Sequence, residues 1–287
     1  MIPHLFVFGP GYTAMRIIAK AHDNGWRVTA TCRSDTGRQM LETNAIEAVD
    51  AASGKLPGTV GVSHVLVGAA PDKDGDAMLR HWSDWLKQQR QLHSVHYLSS
   101  TNVYGDHGGA WVDEDSPTNP SLKRGKWRLG AEKAWQIAAR RIDTPLFIYR
   151  LAGIYGPDRN ALLSLQSGKA HRVIKEGQIF GRIHVDDIAA AVWTAAISNQ
   201  AGDIFNLADD LPCPPQHIVE AAAKLLNTPP PEAVDFNDAN LSPVARSFYA
   251  ENKRVRNNKI KAELGFQLQY PSYKEGLAAL LKDMQEE

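Results

Sequence analysis

His4-Leu5-Phe6-Val7-Phe8-Gly9-Pro10-Gly11-Tyr12-Thr13-Ala14 opens a stretch that runs on to Arg33 and decides the fold. Leu5 to Phe8 is an unbroken apolar run, which suits a strand buried on both faces. The turn after it is spaced G-x-G-x-x-A. Gly9 permits a tight exit from the strand, and Gly11 has no side chain to obstruct a pyrophosphate. Ala14 lets the next helix pack close to that strand. A helix is predicted over 13–22, with Met15, Ile17, Ile18 and Ala21 as its apolar positions and Gly25 as its stop. The free N–H groups at its start, around Tyr12 and Thr13, and the positive end of its dipole would face the phosphates. An ordinary strand-turn-helix would use the same glycines for geometry alone. The strand-like run before and the helix-like run after favour the dinucleotide reading.

A second strand is expected over 27–31. Its end separates two cofactors. An Asp or Glu there would accept the ribose hydroxyls of NAD. This chain has Cys32-Arg33-Ser34 instead. A guanidinium beside a hydroxyl suits a 2′-phosphate, which it can grip as a fork. The expected cofactor is therefore NADP, with NAD as the alternative. Asp35 stands close enough in sequence to neutralise Arg33, and a solvated surface arginine is the competing reading.

The 287 residues suffice for one large domain or a domain plus a lobe. Hydrophobic residues make up 43% and charged residues 22%, as in globular chains. Lys+Arg and Asp+Glu are both 32, so charge gives no case for nucleic acid or an anionic membrane. No apolar run is long enough to span a bilayer, and the apolar N-terminal residues read as the first strand rather than a signal peptide. Cys32 and Cys213 have no metal spacing, and a reducing cytoplasm is the expected setting. The ten histidines are scattered. His93 and His96 flank the start of a strand, where turn and surface roles are expected rather than a metal.

Further along, 46–49 reads as a third strand ending at Asp50, whose carboxylate can accept from an adenine amino group or cap its loop. Residues 56–61 read as a connector. A fourth strand over 64–71 ends in Gly68, Ala69 and Ala70, and side chains this small let a cofactor lie against the backbone. A helix is expected over 78–91 with Leu79, Trp82, Trp85 and Leu86 inward, the tryptophans as packing. A strand over 95–99, a helix over 123–141 and a strand over 145–151 follow. This order predicts an α/β fold with a doubly wound parallel sheet. After Gly156-Pro157 the texture changes. Short helices are expected over 162–168 and 214–226, an alanine-rich helix from Ile183-His184-Val185-Asp186-Asp187 through Ala196, and a strand over 204–207. The basic run 253–261 reads as a solvated helix face. The expected division is a domain over 1–155 and a smaller C-terminal substrate lobe over 156–287, with about 182–207 returning to the first domain.

The fifth strand ends in Ser99-Ser100-Thr101-Asn102-Val103-Tyr104-Gly105, and strand C-terminal ends are where ligands bind in such sheets. This segment resembles S-S-x-x-V-Y-G of the extended short-chain dehydrogenases/reductases, the NAD(P)-dependent epimerase/dehydratase group. Asp113 to Pro117 resembles the V-x-E-x-x-P loop, Arg150 to Pro157 resembles R-x-x-x-x-Y-G-P, and His184 to Asp187 resembles H-V-x-D. Phe205 to Ala208 and Glu263 to Phe266 match late landmarks. The resemblance covers nearly the whole chain and implies a Rossmann fold, with Ser99, Arg128 and Ile154 at the cofactor and Ser100 holding a substrate hydroxyl or carbonyl. It also implies a Tyr and a Lys four residues later. Gly125 and Glu132 fit the flanking landmarks and put Arg124 and Arg128 at those two positions. Arginine does not release a proton at any useful pH, so Arg124 cannot be the acid/base. It can fork onto a carboxylate or phosphate, or polarise a carbonyl. Arg128 can contact the ribose in place of the lysine. Literal Y-x-x-x-K matches occur at Tyr249 to Lys253 and Tyr270 to Lys274. Tyr270 reads as chance. Tyr249 is the candidate replacement acid, against plain lobe packing.

Two functions stay open. One is an NADP-dependent reductase, dehydrogenase or epimerase acting on a small, anionic substrate. The other is a non-enzymatic NADP-binding sensor, supported by the missing Tyr-Lys pair. Family habit implies a homodimer through the helices of Trp82 and Trp127.

Overall fold

The computed structural model describes residues 2–51, 58–59 and 61–286. The expected connector over 56–61 lies largely outside them. In chain order the elements are β1 (His4–Phe8), α1 (Tyr12–Asp23), β2 (Arg27–Cys32), α2 (Asp35–Thr43), β3 (Glu47–Asp50), β4 (His64–Val67), α3 (Ala77–Lys87) and β5 (Ser94–Ser100). There follow β6 (Trp111–Val112), α4 (Lys123–Arg141), β7 (Leu146–Leu151), β8 (Gly153–Tyr155), α5 (Ala161–Gln166), β9 (Arg172–Ile174), β10 (Arg182–His184), α6 (Val185–Ala196) and β11 (Ile204–Leu207). The chain ends with α7 (Pro215–Leu225), β12 (Ala233–Asp235), α8 (Pro243–Phe248), β13 (Arg254–Val255), α9 (Asn258–Leu264) and α10 (Tyr273–Glu286).

Seven strands form one sheet in the order β11-β7-β5-β4-β1-β2-β3. β1 pairs in parallel with both β2 and β4, so the strand order reverses beside the glycine turn. That is a Rossmann-like doubly wound sheet, and its reversal point is where such folds bind ligands. The apolar run behaves as expected: Leu5, Phe6, Val7 and Phe8 are all buried. Trp82 and Trp85 lie under it, with ring centroids 5.9 and 4.5 Å from Phe6. Their role is packing, and truncating either to alanine is worth roughly 3–5 kcal/mol on general grounds.

The chain divides into two compact units. The first holds residues up to Ser100, Lys123–Arg150 and Ile188–Phe205; the second holds Thr101–Leu122, Leu151–Asp187 and Asn206–Glu287. The stretch Thr101–Leu122, expected with the first domain, groups with the second unit. Inside the first unit, α3 stops at Lys87 rather than 91, because Gln89 turns inward. Its side chain accepts from Val62 N at 3.3 Å and donates to Thr59 O at 3.4 Å. β4 stops at Val67, leaving Gly68 to Ala70 as loop.

The histidines correct a second expectation. His96 is 1% exposed, not a surface residue. It stacks on Phe147 at 5.1 Å and contacts the Tyr149 hydroxyl through Nδ1 at 2.9 Å. His64 packs between Trp26 and His96, at 4.5 and 6.2 Å. Its Nε2 meets Ala196 O at 3.1 Å. Trp193 of α6 closes on Trp26 at 4.8 Å. Among the described residues, no cluster of His, Cys, Asp and Glu could hold a metal ion. No described helix is long and apolar enough to cross a membrane.

Candidate active site at the strand ends

The glycine turn is built by close approach. Gly9 has φ +80, and a Cβ there would lie 2.6 Å from Ala69 N. Its own N–H donates to Thr31 Oγ1 at 3.0 Å. Gly68 meets the turn from β4: a Cβ on it would lie 2.6 Å from Gly9 O and 3.3 Å from Ala14 Cβ. Small residues at 9, 14 and 68 are therefore what lets β1, α1 and β4 converge. Gly11 differs, because a Cβ there would meet nothing within 4 Å. It is the N-cap of α1 and supplies no side-chain cap, and half-buried Tyr12 and buried Thr13 open the helix. An uncapped helix start facing a gap that wants no side chain fits a pyrophosphate.

Around this cradle stand the other expected cofactor residues of the first unit. Arg33 is exposed, and no hydrogen bond or ion pair joins it to another of the described residues. Ser34 caps α2, accepting from Gly37 N at 3.2 Å. Asp50 lies opposite Cys32 in register, beside the end of β2. Ala69 and Ala70 follow β4, with Ala69 N donating to Phe8 O at 3.2 Å. Ile154 belongs to the second unit, on β8, opposite Ile183 of β10.

At the end of β5 the Ser99 side chain is turned toward α4. It is 3% exposed, and its hydroxyl donates to Glu132 Oε1. Glu132 of α4 is 2% exposed and Arg150 of β7 is 4% exposed. Arg150 forks onto it, Nη2 to Oε2 at 2.9 Å and Nε to Oε1 at 3.3 Å. One turn earlier on α4, Arg128 Nη1 donates to Leu98 O at 2.8 Å and to Tyr97 OH at 3.2 Å. Ser100, half-buried, is the last residue of β5, and Arg124 is half-buried in the first turn of α4. The first unit thus contains Ser100, Arg124 and Arg128 on adjoining elements, α4 and β5. The Glu132–Arg150 pair is a contact that sequence spacing does not reveal: both residues stood among the resemblance's landmarks, with nothing to say that they meet.

A family model described as NAD dependent epimerase/dehydratase matches residues 78–208, which include α3, β5, α4 and β7. That span is 131 of the chain's 287 residues, and over it the chain is similar to the NAD dependent epimerase/dehydratase family. A curated relative, dTDP-glucose 4,6-dehydratase of Neisseria gonorrhoeae, is 26% identical over 145 residues, 46% of this chain and 41% of the relative. The match thus spans about two fifths of that relative's length. A functionally unknown conserved protein from Silicibacter pomeroyi DSS is 44% identical, with a TM-score of 0.92, covering 98% of this chain and 99% of that one. The UDP-glucuronic acid 4-epimerase of Bacillus cereus, in complex with UDP-glucuronic acid and NAD, shares the fold at 17% identity, with a TM-score of 0.76 and coverage of 99% of each chain.

Several family landmarks prove to be packing and hydrogen-bonding devices of the second unit. Glu114 Oε1 accepts from Asn206 N at 2.7 Å, and Asn206 Oδ1 accepts from Tyr104 OH at 2.7 Å. Burial raises the Glu114 pKa. Tyr155 meets His184 edge-on at 5.1 Å, and His184 packs on Tyr270 at 4.1 Å. Asp187 accepts from Gln269 N and Tyr270 N at 2.7 and 3.1 Å.

The Tyr249–Lys253 spacing does not fall within a helix: Tyr249 closes α8 and Lys253 precedes β13. Tyr249 packs on Phe180 and Phe236, at 5.2 and 4.9 Å, and burial raises its pKa. Lys253 is 8% exposed, bonded to Gly105 O at 2.9 Å and Glu251 Oε2 at 3.2 Å. Tyr249 is thus packed among aromatic rings, and the basic run is no solvated helix face at its start. A further buried group went unnoticed in the sequence. Asp209 is 2% exposed, and burial pushes its carboxyl up to about 7, with Arg182 pulling the other way.

Proposed function

We propose that this protein is an NADP-dependent oxidoreductase or epimerase/dehydratase acting on a small anionic substrate. The observation that carries the cofactor reading is the cradle itself: Gly9 and Gly68 in close approach, Gly11 open, and α1 uncapped. Gly9, Gly11, Tyr12 and Thr13 would hold the pyrophosphate, Asp50 the adenine, and Ala69 and Ala70 the cofactor's flank. Arg33, exposed and unengaged, supports a 2′-phosphate and hence NADP over NAD.

The bound nicotinamide would supply or take up a hydride at the substrate carbon. Ser100 would hold the substrate hydroxyl or carbonyl by hydrogen bonding. Arg124 at the start of α4 would grip an anionic group or offset a developing oxyanion by charge. It cannot carry the proton, so a hydroxyl or water does. The sugar acid bound by the Bacillus cereus neighbour is consistent with an anionic substrate class.

Titration with NADPH and NADH, followed by nicotinamide fluorescence, tests the cofactor assignment. Tight NADPH and weak NADH binding are expected. Equal binding of both removes the 2′-phosphate role of Arg33, and binding of neither overturns the nucleotide reading. Nucleotide binding with no turnover across anionic carbonyl compounds would instead favour a cofactor-binding sensor, the reading that the absent tyrosine-lysine pair supports.

A further inference from the structure

Arg128 and Glu132 stand four residues apart on α4, so they share one face of the helix. Both reach β5. Arg128 Nη1 takes the Tyr97 hydroxyl at 3.2 Å and the Leu98 carbonyl at 2.8 Å, and Glu132 takes the Ser99 hydroxyl. Three successive residues of β5 are thereby held by a single turn of α4. Arg150, on β7, completes the arrangement by fixing both oxygens of Glu132. We propose that Arg128 and Glu132 are positioning residues that clamp the C-terminal end of β5 and so place the Ser100 hydroxyl, and that Arg128 serves this clamp rather than a nicotinamide ribose.

The chemistry of the residue types fits the task. A guanidinium is flat and carries five donors, so one nitrogen can be set against two oxygens of neighbouring residues while its plane stays fixed. An ammonium on a flexible stem holds no such plane. The charge is answered within the first unit: Arg128 acts on Asp76, the buried cap of α3, and lowers a carboxyl pKa that burial raises. The Tyr97 phenol is fully buried and stays protonated, its pKa pushed up to about 12 by burial, so it is a steady partner for Arg128. At the second rung, Glu132 is paired and hydrogen-bonded on both oxygens, the condition under which a buried carboxylate is rigid rather than merely costly.

The purpose of the clamp rests on the reading of Ser100 as the substrate-facing hydroxyl, but its existence can be tested without nucleotide or substrate. The experiment is amide hydrogen exchange over residues 97–100 in the intact protein, with thermal melts and NADPH titrations run on the same samples. Arg128→Ala and Ser99→Ala should each raise exchange in this segment by about tenfold while the cooperative melt is retained. Ser99→Thr, which keeps the hydroxyl, should restore protection. Arg128→Lys should not. NADPH affinity should change by less than about threefold in Arg128→Ala, since a clamp does not touch the ribose. Unchanged exchange in either alanine variant overturns the two-rung arrangement. So does a loss of NADPH affinity beyond about tenfold that Arg128→Lys restores, which would mark a direct ribose contact. If the wild-type protein binds no nucleotide, the function proposed above fails, while the exchange measurement still decides the clamp.

Discussion

The two ends of the parallel strands in the first unit are built on opposite principles. At the C-terminal ends of β1 and β4 the side chains are withdrawn: Gly9, Gly68 and Ala69 bring backbones together, and Gly11 leaves a gap. At the N-terminal ends the space is filled with rings. His64, His96, Trp26 and Trp193 stack and tilt on one another, and His4 Nε2 meets Thr29 Oγ1 at 2.8 Å. One end is left open and the other is sealed as core. A sheet can bear a site at one edge because the opposite edge has been closed with apolar and neutral polar groups.

The largest expected effect strikes the withdrawn end. Gly9→Ala should cost about 3–5 kcal/mol, measured by denaturant unfolding, because the methyl would meet the Ala69 backbone and φ is positive. Gly11→Ala, two residues on, should leave stability within about 1 kcal/mol and instead weaken nucleotide binding. If both variants lose equal stability, the distinction between close approach and open gap is wrong.

The sealed end should respond to acid. Burial lowers the His96 pKa to about 3 and the His64 pKa to about 4. A depressed pKa means stability is full above 6.5 and is lost as pH falls toward the folded values. At pH 5 each ring should cost about 2 kcal/mol, from 1.5 units at about 1.4 kcal/mol per unit. Histidine titration by NMR would check this: protonation of either ring near 6.5 in the folded state would break the picture of a sealed end.

Smaller effects sharpen the open end. Arg33→Ala should weaken NADPH by about tenfold with little change for NADH. Ser34→Ala should cost about 1 kcal/mol of stability through the lost α2 cap, with nucleotide affinity changed far less than in Arg33→Ala. A large affinity loss in Ser34→Ala would show that its hydroxyl serves a phosphate as well as the cap.

The withdrawn end was legible in the sequence because its signals are local. Gly9, Gly11 and Ala14 sit within six residues, and the apolar run before them has one reading. Helix α4 was readable to the residue at Lys123–Arg141, and β11 at Ile204–Leu207. Helix α2 was not, since Leu41 is its one buried residue and Gly37 lies inside it. The sealed end was also illegible: His64, His96, Trp26 and Trp193 come from four separate segments, and nothing in their spacing says that they meet. Glu132 had the same difficulty. Its partners Ser99 and Arg150 are 33 and 18 residues away, so only the sheet brings them together.

Asp209 carries a consequence for the second unit. Its carboxyl, held up to about 7 by burial, makes folding easiest in acid, and that stability is lost as pH rises from about 3.8 through 7. Glu114 and Asp187 shift in the same direction, again through burial. In the first unit Asp76 does likewise, but His4, His64 and His96 oppose it. Between pH 7 and 4 the titrating groups of one unit therefore reward the protons that those of the other resist. A calorimetric scan should broaden or split as it moves through this range, with the first unit melting first in acid. Acid would then be a reagent for unfolding one half of the chain while the other half remains to be studied.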